Sequence, residues 1–295
     1  MPVHEIRYRP HEGPRRSPLL RLAAIPKYSL KAVADRKFMT TLFGLGSLAL
    51  LVVVVYLYLF TNPAIVAMLG FLPGGGGATI PEFPFDRILR MFLQAQTFTA
   101  LLVLLLAGPK SISPELQHQA LPLLYSRPLT RTGYIAGKLV ALALPLSYLF
   151  WIQALFIVLM MSLLYGPQHQ FYDDIAGRTI PAVLNAVLAG VVMTVVLSLV
   201  ALGCSAATKN HAFAAGIFLA LYFGSSVFSR IGGQILDMPH MHIGLFDSLR
   251  AAPAVFVDGS SPRGPVSVLL TLGGWSAVAI LVMLARLRPV EVHNG

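Results

Sequence analysis

Apolar residues in this chain neither alternate with polar ones nor recur on one helical face; they run in blocks. Six blocks, at about 39–60, 88–108, 139–165, 182–206, 211–229 and 266–285, hold few charges and are long enough to cross a bilayer as helices. The first (MTTLFGLGSLALLVVVVYLYLF) and the last (VSVLLTLGGWSAVAILVMLA) are unbroken. The second is interrupted in its first half by Gln94, Gln96, Thr97 and Thr99, and the fifth is short. The pattern predicts an all-α integral membrane protein. It divides into a basic tail at 1–38, a six-span domain at 39–288 and a short tail at 289–295. The long basic segment before a first span of this length does not read as a signal peptide.

Composition agrees. Only 12% of the 295 residues are charged and 56% are hydrophobic, whereas a soluble domain needs about 25% charged residues to solvate its surface. The single cysteine, Cys204, excludes an internal disulfide and any multi-cysteine zinc site, and reads as a small buried apolar residue. The net charge of +10 would suggest nucleic acid in a soluble protein. Its distribution along the chain points instead to orientation. Nine Lys and Arg precede span one, four lie between spans two and three, one between four and five, and two follow span six. These 16 fall on one side, against 6 on the other. Both termini are therefore expected in the cytoplasm.

Between Pro26 and span one, Leu30, Val33, Ala34 and Phe38 share one face while Lys27, Lys31 and Asp35 share the other. This predicts an interfacial amphipathic helix on anionic lipid. Outside, Gly74–Gly77 form a flexible loop, and the long stretch from Arg230 to Pro265 is expected to hold short half-inserted helices.

Several chemistries are missing. Gly133–Leu139 approaches a nucleotide-binding loop, but its glycine spacing is one residue short and no Ser or Thr follows Lys138. Gly133 and Gly137 suit close helix packing instead. His4-Glu5 with His11 lacks zinc-protease spacing, and there is no G-x-S-x-G elbow. Every Asp and Glu lies outside the six blocks, which argues against ion-coupled transport. An intramembrane enzyme is disfavoured because no paired carboxylates or nucleophile–base pair falls in the spans.

The loop between spans two and three is the most informative segment. Ser113 is predicted to cap a short helix with Pro114 at its first position and Glu115 in its first turn. Pro122 should bend or end that helix, Arg127-Pro128 should force extended backbone, and Thr130 or Thr132 should cap the next helix. The outcome is a stiff knuckle exposing Leu121, Leu123, Tyr125 and two arginines.

This run resembles the ABC-2 type family of ABC-transporter permeases, on Glu115-Leu116, Leu124-Tyr125, Ser126-Arg127-Pro128-Leu129, Arg131, Tyr134 and Gly137-Lys138. Pro114 and the proline-rich tail depart from that pattern. The resemblance implies a membrane-spanning subunit, one of two permease chains, in an ATP-driven exporter of a bacterial inner membrane. ATP and Mg would sit on separate cytoplasmic ATPase subunits, with no cofactor on this chain. Glu115, Leu116, Leu121, Leu123, Tyr125, Arg127 and Arg131 would form the ATPase-coupling loop. Gln94, Gln96, Thr97, Thr99 and Asn185 are candidates to line a translocation path; the plainer reading is interhelical hydrogen bonding. Thr194 and Ser198 are equally ambiguous. Some permeases of this family serve copper-site maturation, and Met238, His240, Met241 and His242 offer thioether and imidazole ligands suited to copper. A membrane scaffold that recruits partners without moving substrate is the alternative from another class.

Overall fold

The structure, a computed structural model, describes residues 28, 37–61, 85–119, 130–165, 172–235, 244–257 and 265–287. Every element among them is helical: α1 (Lys37–Thr61), α2 (Phe85–Ala107), α3 (Pro109–Gln117), α4 (Arg131–Ser147), π1 (Tyr148–Ile152), α5 (Gln153–Tyr165), α6 (Tyr172–Ala207), α7 (His211–Leu219), π2 (Ala220–Gly224), α8 (Ser225–Ile235), α9 (Leu245–Val257) and α10 (Pro265–Arg286). Six helical runs are long and apolar enough to cross a membrane: Met39–Leu59, Arg87–Gln117, Arg131–Leu164, Val183–Ala207, His211–Ile235 and Pro265–Arg286. Each coincides with one of the six apolar blocks. The expected interfacial helix lies outside the described residues, apart from Tyr28 and the segment from Lys37.

The hub is α6. It packs against α3, α4, π1, α5, α7, α9 and α10, and most of its apolar length is buried. Small residues allow the closest approaches. A Cβ on Gly203 would stand 2.9 Å from the Ala279 Cα of α10, and one on Gly190 would stand 2.7 Å from the Trp151 Cβ of π1. Backbones this near to each other exclude even a methyl group, which is how helices gain van der Waals contact where lipid removes the hydrophobic drive. The outer helices α1, α8 and α10 keep large apolar residues exposed, among them Leu51, Val52, Phe228, Ile235, Leu270 and Leu281. Such faces suit hydrocarbon rather than water.

The third span starts at Arg131, earlier than its apolar block, because Thr130 caps it: its Oγ1 accepts from the Gly133 N–H at 3.2 Å. Its buried residues come in pairs every four positions, Gly133-Tyr134, Gly137-Lys138, Ala141-Leu142, Pro145-Leu146, Leu149-Phe150, Gln153-Ala154 and Ile157-Val158. A stripe with that repeat winds about 40° per repeat around an α-helix of 3.6 residues per turn. Pro145 removes one backbone donor and π1 follows directly, its i→i+5 pattern taking up an extra residue. The π-turn slows the drift of the stripe at mid-span.

The stretch before span six is not plain loop. There α9 buries Leu245, Leu249 and Ala252 completely, and packs against α2, α6 and α10. Ser225 and Ser226 of α8 accept from the Leu245 and Asp247 N–H groups at 2.9 and 3.3 Å, which satisfies the first turn of α9. Arg230 pairs with Asp247 at 2.9 Å.

One local expectation is overturned. Ser113 does not cap a helix; α3 begins at Pro109, after Gly108, and Ser113 lies within it. Pro109 already fills the first position, and the capping hydroxyl arrives from α6, as described below. The helix ends at Gln117, before Pro122 is reached, and Gln119 adopts a left-handed φ of 51°. A non-glycine residue in that region is uncommon and closes the helix sharply.

Candidate functional site

The chemistry-bearing residues gather where α2 ends, α4 begins and α6 ends. At this junction α3 turns off α2 and is fastened to two other spans. The first fastening is Ser205 of α6, fully buried. Its Oγ accepts from the N–H groups of Ile112 at 2.9 Å and Ser113 at 3.0 Å, and donates to the Pro109 carbonyl at 2.8 Å. One donor and two acceptor sites are all a hydroxyl possesses, so Ser205 is saturated by α3 alone.

The second fastening is ionic. Lys138, one turn after Tyr134 on α4, places Nζ 2.5 Å from Glu115 Oε1 and 2.8 Å from the Ser111 carbonyl. Tyr134 donates its hydroxyl to the other carboxylate oxygen, Oε2. Nζ also lies 5.7 Å from the centre of the Tyr134 ring, within cation–π range. The Lys138 side chain is 8% exposed and that of Glu115 is 27% exposed. This is therefore a largely desolvated pair with supporting hydrogen bonds, the condition in which an ion pair fixes geometry. It sets the angle between α3 and the start of α4.

Of the predicted coupling residues, Glu115 is at the centre of this cluster and Leu116 is half-buried against the core. Arg131 stands at the first position of α4; its Nε and Nη2 are buried and have no hydrogen-bond partner among the described residues. Leu121, Leu123, Tyr125 and Arg127 lie outside the described residues. So do Met238, His240, Met241 and His242.

A second polar group sits among the spans. Gln96 is completely buried, and its Nε2 donates to the Gly46 carbonyl of α1 at 2.9 Å and to Gln153 Oε1 of α5 at 2.7 Å. The Gly46 carbonyl can only accept, which fixes the orientation of the Gln96 amide and in turn that of the Gln153 amide. Gln96 Oε1 and Gln153 Nε2 are left buried with no partner among the described residues. Gln94 donates to the Arg250 carbonyl of α9 at 2.9 Å. Thr97 donates within its own helix to the Leu93 carbonyl, Thr99 is buried, and Asn185 is half-buried on α6. Gln94 and Gln96 thus join helices, and the five path candidates do not form one cluster of mutual hydrogen bonds.

Ser205, Ser111, Gln153 and Gly46 were not singled out by the sequence. Ser205 and Gln153 carry a usable signal, being polar groups inside apolar runs. The roles of Ser111 and Gly46 rest on backbone carbonyls, which sequence does not mark. Tyr134 and Lys138 belong to the resemblance but had no assigned role.

Beside the ion pair lies a cleft of about 600 Å³ between the first turn of α1, the end of α2, α3, α4 and the start of α7. Its wall is apolar at Met39, Leu106, Ala107, Ala141 and Leu142, and polar at Lys110, Ser111, His118 and His211. No family model matches this chain, and no curated protein matches it.

Proposed function

We propose that this chain is the membrane-spanning subunit of an ATP-driven exporter, acting with a second permease chain and with separate cytoplasmic ATPase subunits. The single observation that carries the reading is the double fastening of α3. Glu115–Lys138 ties it to α4 and Ser205 ties it to α6, so a force applied to the 112–131 segment reaches spans two, three and four together. A loop used only to connect two spans needs no such bracing. ATPase closure would press on the knuckle, and the braced junction would pass the displacement on as a rigid-body rotation of the spans. The absence of a nucleotide-binding loop from the sequence fits energy supplied by another chain.

The test is solubilisation of native membranes in mild detergent followed by purification of the full chain. An ATP-hydrolysing subunit should be retained in fixed stoichiometry, and its turnover should fall when Glu115 is replaced by Leu. Retention of other proteins with no ATP hydrolysis would replace transport with scaffolding.

A further inference from the structure

We propose that the cleft beside α3 binds the headgroup of an anionic phospholipid, with the phosphate at Lys110 and His211 and the first acyl carbons against Leu106 and Met39. This reading does not depend on transport.

Position comes first. The cleft lies where helices leave their apolar segments: Met39 opens the first candidate span, Leu106 is near the end of α2, and His211 opens the fifth. A site at that depth faces headgroups on one side and acyl chains on the other. Its lining combines a free lysine and two histidines with methionine and leucines, the mixture that a headgroup and its first acyl carbons would meet.

Charge selects the headgroup. Among the groups lining the cleft, Glu115 is the single carboxylate, and both its oxygens are already engaged by Lys138 and Tyr134. Lys110 is exposed and has no acidic partner among the described residues. His118 and His211 add donors, and His211 sits in the first turn of α7, whose dipole favours an anion. Lys138 contributes no free charge, being spent on Glu115. The local balance is thus one uncompensated cation with several donors.

The same balance decides between occupants. Residues 1–37 carry nine Lys and Arg against Glu5, Glu12 and Asp35. Tyr28 of that segment lines the cleft, and the basic residues that flank it in sequence add to the attraction for anionic lipid. A zwitterionic headgroup brings its own cation and gains less.

The experiment is native mass spectrometry of the full chain in detergent, incubated with equal amounts of phosphatidylglycerol and phosphatidylcholine. The wild type should retain phosphatidylglycerol in preference. In the double variant Lys110→Gln/His211→Gln that preference should fall by about tenfold, the scale of one lost charge-assisted contact. Both side chains are exposed, so folding should survive. Lys209→Gln removes another exposed lysine at the same end, outside the cleft, and should leave the preference unchanged. Equal retention of the two lipids by the wild type would overturn the proposal, as would an equal fall with Lys209→Gln, which means diffuse surface attraction. Displacement of the lipid by inorganic phosphate at the same concentration would make a free anion the ligand and would also overturn it.

Discussion

Glu115 and Lys138 are not equivalent partners, although they share one contact. The lysine is 8% exposed and the glutamate 27%, so removing the glutamate strands the more deeply desolvated charge. Loss of one partner from a buried pair costs about 3–5 kcal/mol, and the partial exposure here puts the smaller figure on the lysine side. Glu115→Leu should therefore lower the unfolding temperature in detergent more than Lys138→Met does. The double variant should recover part of the loss, because neither charge is then left alone. If the order is reversed, or the double variant is worse than both singles, the pair is not the desolvated brace described above. Tyr134→Phe deletes one hydrogen bond to an ionised acceptor, and should cost about 1.5–3 kcal/mol, less than Glu115→Leu.

At the scale of helices, tolerance to a methyl group should follow backbone proximity rather than glycine count. Gly203→Ala drives a Cβ against the backbone of α10 at 2.9 Å, whereas a Cβ on Gly273 meets nothing within 4 Å. The first should destabilise by about 1–3 kcal/mol through forced separation of α6 and α10. The second should be neutral or stabilising by up to about 1 kcal/mol through helix propensity. Thermal unfolding of both variants in one detergent checks the contrast. Legibility followed the same division between runs and junctions. Each span announced itself because about twenty apolar residues in a row have few other uses. The junctions did not. The Gly108-Pro109 step reads as an ending, yet the chain restarts as α3 there because Ser205, about ninety residues away, supplies the cap. Helix α9 mixes Asp247, Arg250 and Pro253 with apolar residues, and its burial depends on neighbours that no local pattern specifies. Gln96 was visible as a polar interruption, but its partner Gln153 was not paired with it, since an interhelical contact has no sequence spacing. The proposed function gives a third contrast, at residues 121–127. Arg127→Glu should leave insertion intact and weaken ATPase association by about 2–5 kcal/mol if a charge-assisted contact is buried there. Unchanged association and transport would reduce the segment to a positively charged loop.

For the whole molecule, the 16-to-6 division of Lys and Arg expects reporter fusions after Gly295 and within 167–180 to label opposite sides of the membrane. Labelling on one side would remove a span or add one. The purified chain should not hydrolyse ATP, and turnover that disappears in a Lys138 variant would make Gly133–Leu139 a nucleotide site after all. The π-turn at Tyr148–Ile152 has a further consequence, for how the length of this chain can change. In an ordinary span, losing one residue rotates everything beyond it by about 100° and carries buried side chains out to lipid. A π-turn already holds one residue more than an α-turn needs. Deleting Ile152, which faces outward, would let the turn relax to α geometry while Gln153, Ala154, Ile157 and Val158 kept their direction. The third span thus carries a spare residue at mid-depth, and a chain one residue shorter there could keep the same neighbours.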